Sequence, residues 1–191
     1  MAVIEVYGDI WCPFTHVGLR LVADRRRDRG ITDVSIQVRA WPLELVNGAP
    51  LDPVREREHA RDLREQVAPD MFRGISRSTL HATTLPALDL AASAYRAGDE
   101  VGERVSLALR HALFERGLDI SDPGVLRDIA GAHGLNGPTD VDRAMVLEEF
   151  HGVSAVGSAG HRTSSVGTST SSVPRSTSQG TTTSIFTCRG T

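Results

Sequence analysis

One cysteine stands where a thiol can be activated. In Trp11-Cys12-Pro13-Phe14-Thr15-His16 the cysteine follows a β-branched, strand-like run and opens a helical one. It therefore falls at the first turn of a helix, where unsatisfied backbone N–H groups and the positive end of the helix dipole favour thiolate over thiol. The thiolate is the nucleophile of disulfide exchange. Pro13 suits that first turn, because it lacks the N–H that would be orphaned and already has a helical φ. Phe14 offers an apolar contact. The hydroxyl of Thr15 occupies the place where a Cys-X-X-Cys pair carries its second, resolving thiol. A cysteine with no such partner can attack a disulfide and form a mixed disulfide, but an external thiol must then release it. Thr15 is placed to donate a hydrogen bond to the sulfur, and a protonated His16 would add positive charge. The plain alternatives are a small buried hydrophobe for Cys12, a surface helix position for His16, and packing for Trp11 in place of shielding the sulfur.

Other chemistries find little support. The net charge is −3 with no basic stripe, which argues against nucleic acid, since phosphate binding needs clustered cations. Arg25, Arg26 and Arg27 form the densest basic run and read as a solvated helix face. No apolar stretch approaches the roughly 18 residues of a membrane span. The N-terminus passes directly into Val3-Ile4-Glu5-Val6-Tyr7 without a basic segment and an apolar stretch, so export is not expected. Cys12 and Cys188 are far apart and make no disulfide framework or zinc spacing, so the expected compartment is a reducing cytoplasm. His59, His81, His111, His133, His151 and His161 show no metal-ligand spacing, and no metal is expected.

The elements that must position Cys12 follow from the pattern around it. The run 3–7 is a strand that ends in the turn Gly8-Asp9. From Pro13 the chain is helical, with Phe14, Val17, Leu21 and Val22 able to share a face, and it stops at Arg29-Gly30. Residues 34–41 alternate as a second strand closed by Pro42. Beyond this β-α-β start only helical signals appear as far as Phe150. Helices open at Asp52-Pro53, at Thr84-Leu85-Pro86, near Gly102, at Ser121-Asp122-Pro123 and at Asp140.

From His151 the composition changes. About half of residues 151–191 are Ser or Thr, acidic residues vanish and hydrophobic periodicity disappears. Every basic residue counted as Lys or Arg is an arginine, as a GC-rich gene would give. Read one base earlier, each TCN serine codon contributes TC to a codon for Phe, Leu, Ile or Val, and each ACN threonine codon contributes AC to one for Asp, His, Asn or Tyr. Residues 168–177 then permit Asp-Val-Asp-Phe-Phe-Cys-Pro-Ser-Leu-Asp, and 156–165 permit Arg-Gly-Val-Arg-Gly-Ser-Pro-His-Phe-Phe. The tail is thus expected to be either disordered or out of frame.

The stretch Asp9-Ile10-Trp11-Cys12-Pro13-Phe14-Thr15-His16-Val17-Gly18 resembles the active-site segment of DsbA-family thioredoxin-like oxidoreductases. Relatives of that family include 2-hydroxychromene-2-carboxylate isomerase and kappa-class glutathione transferases. The resemblance continues through the segment from Arg39 to Gly48, Thr84-Leu85-Pro86-Ala87 and Ala108-Leu109-Arg110-His111-Ala112-Leu113-Phe114, covering about residues 1–150. It implies an α/β, thioredoxin-like fold with an all-helical insertion. The expected layout is a β-α-β half over 1–50, the insertion over 51–137, a last helix over 138–150 leading back to the core, and the tail over 151–191. It also implies a cis-proline loop and further sheet strands after the last helix, where the Ser/Thr-rich tail stands instead; Pro174 has no matching context.

On this resemblance Cys12 is the expected nucleophile, with Thr15 beside it, and Trp11, Pro13, Phe14 and His16 form the expected substrate- or thiol-binding surface. The expected activity is thiol–disulfide exchange through a single cysteine, with protein or small-molecule thiols and disulfides as partners. No tightly bound cofactor is expected beyond a low-molecular-weight thiol such as glutathione. Two alternatives accompany it: a glutathione-type thiol-dependent isomerase or transferase, in which Thr15 polarises a cofactor sulfur, and an inactive truncated relative.

Overall fold

A computed structural model of the chain describes residues 2–75 and 83–159, with 153–159 as backbone only. β1 (Ala2–Gly8) and β2 (Val34–Ala40) pair in parallel, in register from Ala2 opposite Val34 to Gly8 opposite Ala40. Parallel neighbours need a crossover, and α1 (Pro13–Asp28) supplies it. Proline at its first position starts the helix, and Gly30, in the left-handed region at φ 62°, turns the chain after its end.

Six helices follow: α2 (Leu43–Asn47), α3 (Pro53–Gln66), α4 (Leu85–Ala97), α5 (Asp99–Phe114), α6 (Pro123–Ala132) and α7 (Asp140–Ala159). α3 and α6 begin as their sequences require. Asp52 accepts from the N–H groups of Val54 and Arg55, Asp122 from those of Gly124 and Val125, and a proline follows each cap. α2 has no counterpart in the sequence reading, because five residues are too few to show a helical period. α7 opens at Asp140 but runs to Ala159, past the change of composition at His151; no proline interrupts it.

α4 packs on α5 and α7, α5 and α7 pack on β2, and α1 lies against α3 and α5. One hydrophobic core joins these layers. Ile10 and Trp11 from the turn after β1, Phe72, and Leu90, Val105, Leu109, Leu113 and Val146 from the helices are all buried in it.

The two edges of the sheet differ. Along the outer edge of β2, Ile36 N–H donates to Glu103 Oε2 (3.0 Å), Val38 N–H to the Tyr95 hydroxyl (2.9 Å) and Ala40 N–H to Glu149 Oε2 (2.7 Å). The Tyr95 hydroxyl in turn donates to the Ile36 carbonyl at 3.2 Å. α5, α4 and α7 thus each contribute one side chain that occupies a position a further strand would need. On β1, the bond from Ala2 N to the Asp33 carbonyl sets the parity. Ala2, Ile4, Val6 and Gly8 face β2, and the backbone of Val3, Glu5 and Tyr7 faces outward with no partner among the described residues.

The reading of Arg25, Arg26 and Arg27 as a solvated face needs one correction. Arg25 and Arg27 are exposed, but Arg26 turns inward, where it pairs with Glu103 and donates to the Val34 carbonyl at 2.8 Å. The carboxylate that seals the edge of β2 draws it in. No described helix is long and apolar enough to cross a membrane.

Candidate active site around Cys12

A tight turn carries the chain from the end of β1 into α1, and Asp9 organises it. The Asp9 carboxylate is buried and accepts from Trp11 N–H through Oδ1 (2.9 Å), and from Leu43 N–H (2.6 Å) and the Thr84 hydroxyl (3.1 Å) through Oδ2. One side chain therefore ties the turn to the start of α2 and to the start of α4. Burial raises the Asp9 pKa, opposed by these three donors and by Arg110. The Asp9 carbonyl accepts from Cys12 N–H at 3.3 Å and from Arg110 Nη2 at 3.1 Å. Cys12 then takes the N-cap position of α1, and its carbonyl accepts the first helical bond, from His16 N–H, at 3.1 Å. The thiol is covered, at 2% exposure.

Arg110 approaches from α5. It is 1% exposed, and its Nη1 donates to the Ser106 hydroxyl (2.7 Å) and carbonyl (3.2 Å). Its Nε has no partner among the described residues, and Arg110 lines a cavity of about 30 Å³ together with Ile10, Val38 and Tyr95. Burial pulls the guanidinium below its usual range, opposed by the negative charge available from Tyr95, Asp9 and Cys12.

Thr15 is buried one turn along α1 and lies against the end of β1. A Cβ built on Gly8 would stand 2.8 Å from Thr15 Cγ2 and 3.0 Å from Oγ1, so glycine at this position admits the threonine. His16 is buried, stacked on Phe114 with ring centroids 4.8 Å apart and edge-on to Phe72 at 5.4 Å. Its Nε2 lies 2.9 Å from Glu115 Oε1. Burial outweighs that carboxylate and lowers the His16 pKa, so the ring is neutral at pH 7 and donates N–H to Glu115. Burial alone would raise Glu115. The bond from His16 and the N–H groups of Phe72 (3.0 Å) and Arg73 (3.2 Å) more than offset it and take the carboxyl down to about 2.

Cys12, Pro13, Thr15 and His16 are thus gathered in the first turn of α1, all buried, while the Trp11 side chain lies in the core with its backbone N–H on Asp9. Phe14 points outward at 50% exposure, its ring tilted against His59 at 5.8 Å. The sequence reading assigned no chemical role in the site to Asp9, Thr84, Arg110 or Glu115. Arg110 did carry a signal. With Ser106, Leu109 and Leu113 it falls at i, i+3, i+4 and i+7 on the apolar stripe of α5, and a cation on such a stripe is buried only for a reason. No group of three His, Cys, Asp or Glu able to hold a metal occurs among the described residues.

A parallel β-α-β unit with helices built onto it, and a cysteine at the head of the crossover helix, make a thioredoxin fold with a helical insertion, and the class so defined is thiol–disulfide oxidoreductase. The chain belongs to the DSBA-like thioredoxin domain family, whose model matches residues 3–155. Two solved structures bear out the fold. A putative protein disulfide isomerase from Nitrosomonas europaea superposes with a TM-score of 0.59 at 15% identity, covering 81% of this chain and 79% of that one. The cytosolic disulfide reductase DsbM from Pseudomonas aeruginosa, with GSH, superposes with a TM-score of 0.60 at 15% identity, covering 82% of each chain. No curated protein matches the chain. The expected cis-proline loop and further strands fall in the tail, of which residues 160–191 lie outside the described residues.

Proposed function

We propose that the chain carries out thiol–disulfide exchange through Cys12 alone. The observation that carries this reading is the pairing of Cys12 at the N-cap of α1 with Thr15, one turn on, where a second thiol would stand. The Cys12 thiolate attacks one sulfur of a disulfide. A new S–S bond to Cys12 forms as the old one breaks, and the other sulfur leaves as a thiolate. An external thiol then attacks the mixed disulfide and returns Cys12 to its thiolate. The thiol is covered, so the exchange requires the side chains over it to part. Half-exposed Phe14 is the apolar contact for a substrate beside the site, with Trp11, Pro13 and His16 shaping its floor. Glutathione or an equivalent small thiol in the cytoplasm suits the second step, in keeping with the GSH and the cytosolic description of the DsbM structure.

Intact-mass measurement after incubation with glutathione disulfide tests this. One glutathione should add to Cys188→Ser, map to the Cys12 peptide as it does in the wild-type chain, leave on addition of free thiol, and be absent from the Cys12→Ser, Cys188→Ser chain. Absence of the adduct from the wild-type chain would overturn the reading. Turnover of an aromatic isomerisation substrate that persists in Cys12→Ser would favour the glutathione-dependent isomerase instead.

A further inference from the structure

We propose that Arg110 is a positioning residue for Cys12, its buried guanidinium supplying the fixed positive charge that holds the sulfur as thiolate. The inference rests on the reading of Cys12 as the nucleophile. A buried cation needs a counter-charge, and the guanidinium is held at a defined place to meet one. Ser106 takes Nη1, and Nη2 shares the Asp9 carbonyl with the backbone N–H of Cys12 itself. The same oxygen therefore anchors the cation and the residue that bears the thiol. Of the three negative partners within electrostatic reach of Arg110, Tyr95 keeps its proton, its hydroxyl pushed up to about 12 by burial. Asp9 and Cys12 remain as counter-charges to the guanidinium, the Asp9 carboxylate also accepting from Trp11, Leu43 and Thr84.

Three neighbouring titratable groups among the described residues are engaged elsewhere. His16 of α1 is neutral by burial and donates to Glu115. Arg39 of β2 is committed to Glu5 and to Glu149 of α7. Glu56 of α3 acts on Asp9 with the opposite sign to a cation and is paired with His59. Arg110 has a direct electrostatic interaction with Cys12.

The test is the pH dependence of Cys12 alkylation by iodoacetamide in a Cys188→Ser background, so that one thiol reports. Arg110→Met should move the midpoint up by about one pH unit, which lowers the thiolate fraction roughly tenfold at any pH well below both midpoints. Arg110→Lys, which keeps a charge but loses the forked contacts, should recover part of that loss. An unmoved midpoint in an Arg110→Met chain with native circular dichroism overturns the inference. If Arg110→Met does not fold, the side-chain ¹⁵N resonances of Arg110 in the unsubstituted protein decide. They should shift with the same midpoint as Cys12 and stop doing so in Cys12→Ser, and resonances indifferent to Cys12 overturn the inference. A wild-type chain that takes no adduct on Cys12 at any pH defeats the nucleophile reading itself, whereas adduct formation with an unmoved midpoint defeats only the role of Arg110.

Discussion

His16 and Glu115 meet at 2.9 Å across 99 positions of sequence, fastening the first turn of α1 to the end of α5. The Glu115 carboxyl is depressed from 4.5 to about 2 in the fold, so its contribution is present above the unfolded value and is lost as pH falls from 4.5 towards 2. It amounts to about 3 kcal/mol at most. His16 acts in the same direction: its lowered pKa makes the fold resist a proton that the unfolded chain accepts below 6.5. Urea unfolding followed from pH 7 to pH 2 should show stability falling in two stages, first through the histidine range and then through the carboxyl range. Glu115→Gln should be less stable at pH 7 by about 2 kcal/mol and should flatten the lower stage. Superimposable acid limbs for the two proteins would rule this account out.

Asp9 offers a second test. Asp9→Ala leaves the N–H groups of Trp11 and Leu43 and the Thr84 hydroxyl without their acceptor inside the core, and each orphaned buried donor costs on the order of 1–3 kcal/mol. A loss of about 3 kcal/mol or more is expected in chemical denaturation. Asp9→Asn retains one acceptor oxygen while turning an amide donor towards a backbone donor, and should fall between the two. A change of less than about 1 kcal/mol in Asp9→Ala would show that the turn does not depend on this carboxylate.

Close approach makes a third position sensitive. A Cβ on Gly102 would stand 2.1 Å from Tyr95 Cδ1, and the Tyr95 hydroxyl bonds both Val38 N–H and the Ile36 carbonyl. The ring cannot retreat without giving up the edge of β2. Gly102→Ala should therefore lose about 2–3 kcal/mol despite its favourable helix propensity, and Tyr95→Phe, which removes only the hydroxyl, about 1 kcal/mol. Equal stability of Gly102→Ala and the parent would contradict this packing.

How much of this was legible follows from the range of each interaction. Helix starts at Asp52-Pro53 and Asp122-Pro123 could be read because a cap acts on N–H groups two and three residues away. Cys12 stood out because Pro13 marks the helix start beside it. The Asp9 network was hidden because its partners lie 2, 34 and 75 residues away, and no local pattern announces a carboxylate that collects distant donors. Arg26 looked like its exposed neighbours for the same reason: Glu103, 77 residues on, determines where it turns. α2 was too short to leave a period.

The frame of the tail can be tested on the gene. With acidic residues absent after Glu149 and Ser and Thr making up about half of 151–191, sequencing across codons 145–155 should show an extra or missing base. Translation in the restored frame should give a patterned segment with Gly-Ser-Pro near its start. That product should also protect the outward amides of Val3, Glu5 and Tyr7 from hydrogen exchange, because strands that complete the sheet would pair with that edge. An uninterrupted frame with no alternative reading would leave the Ser/Thr-rich tail as the true sequence.

Thr15→Cys tests the single-thiol mechanism directly. Thr15 lies in the first turn of α1, three residues from Cys12 and against the backbone of Gly8, so an introduced thiol there is smaller than the side chain it replaces. In the parent, glutathione disulfide should leave a mixed disulfide on Cys12 that persists until free thiol is added, because nothing in the helix displaces it. In Thr15→Cys the new thiol can attack Cys12 Sγ of that mixed disulfide, form an internal bond and expel glutathione as thiolate. The adduct should then be transient, and the oxidised chain should lose two titratable thiols in a Cys188→Ser background. Mass spectrometry during the reaction separates the outcomes: a glutathione adduct as long-lived in Thr15→Cys as in the parent would mean that position 15 does not stand where a resolving thiol must.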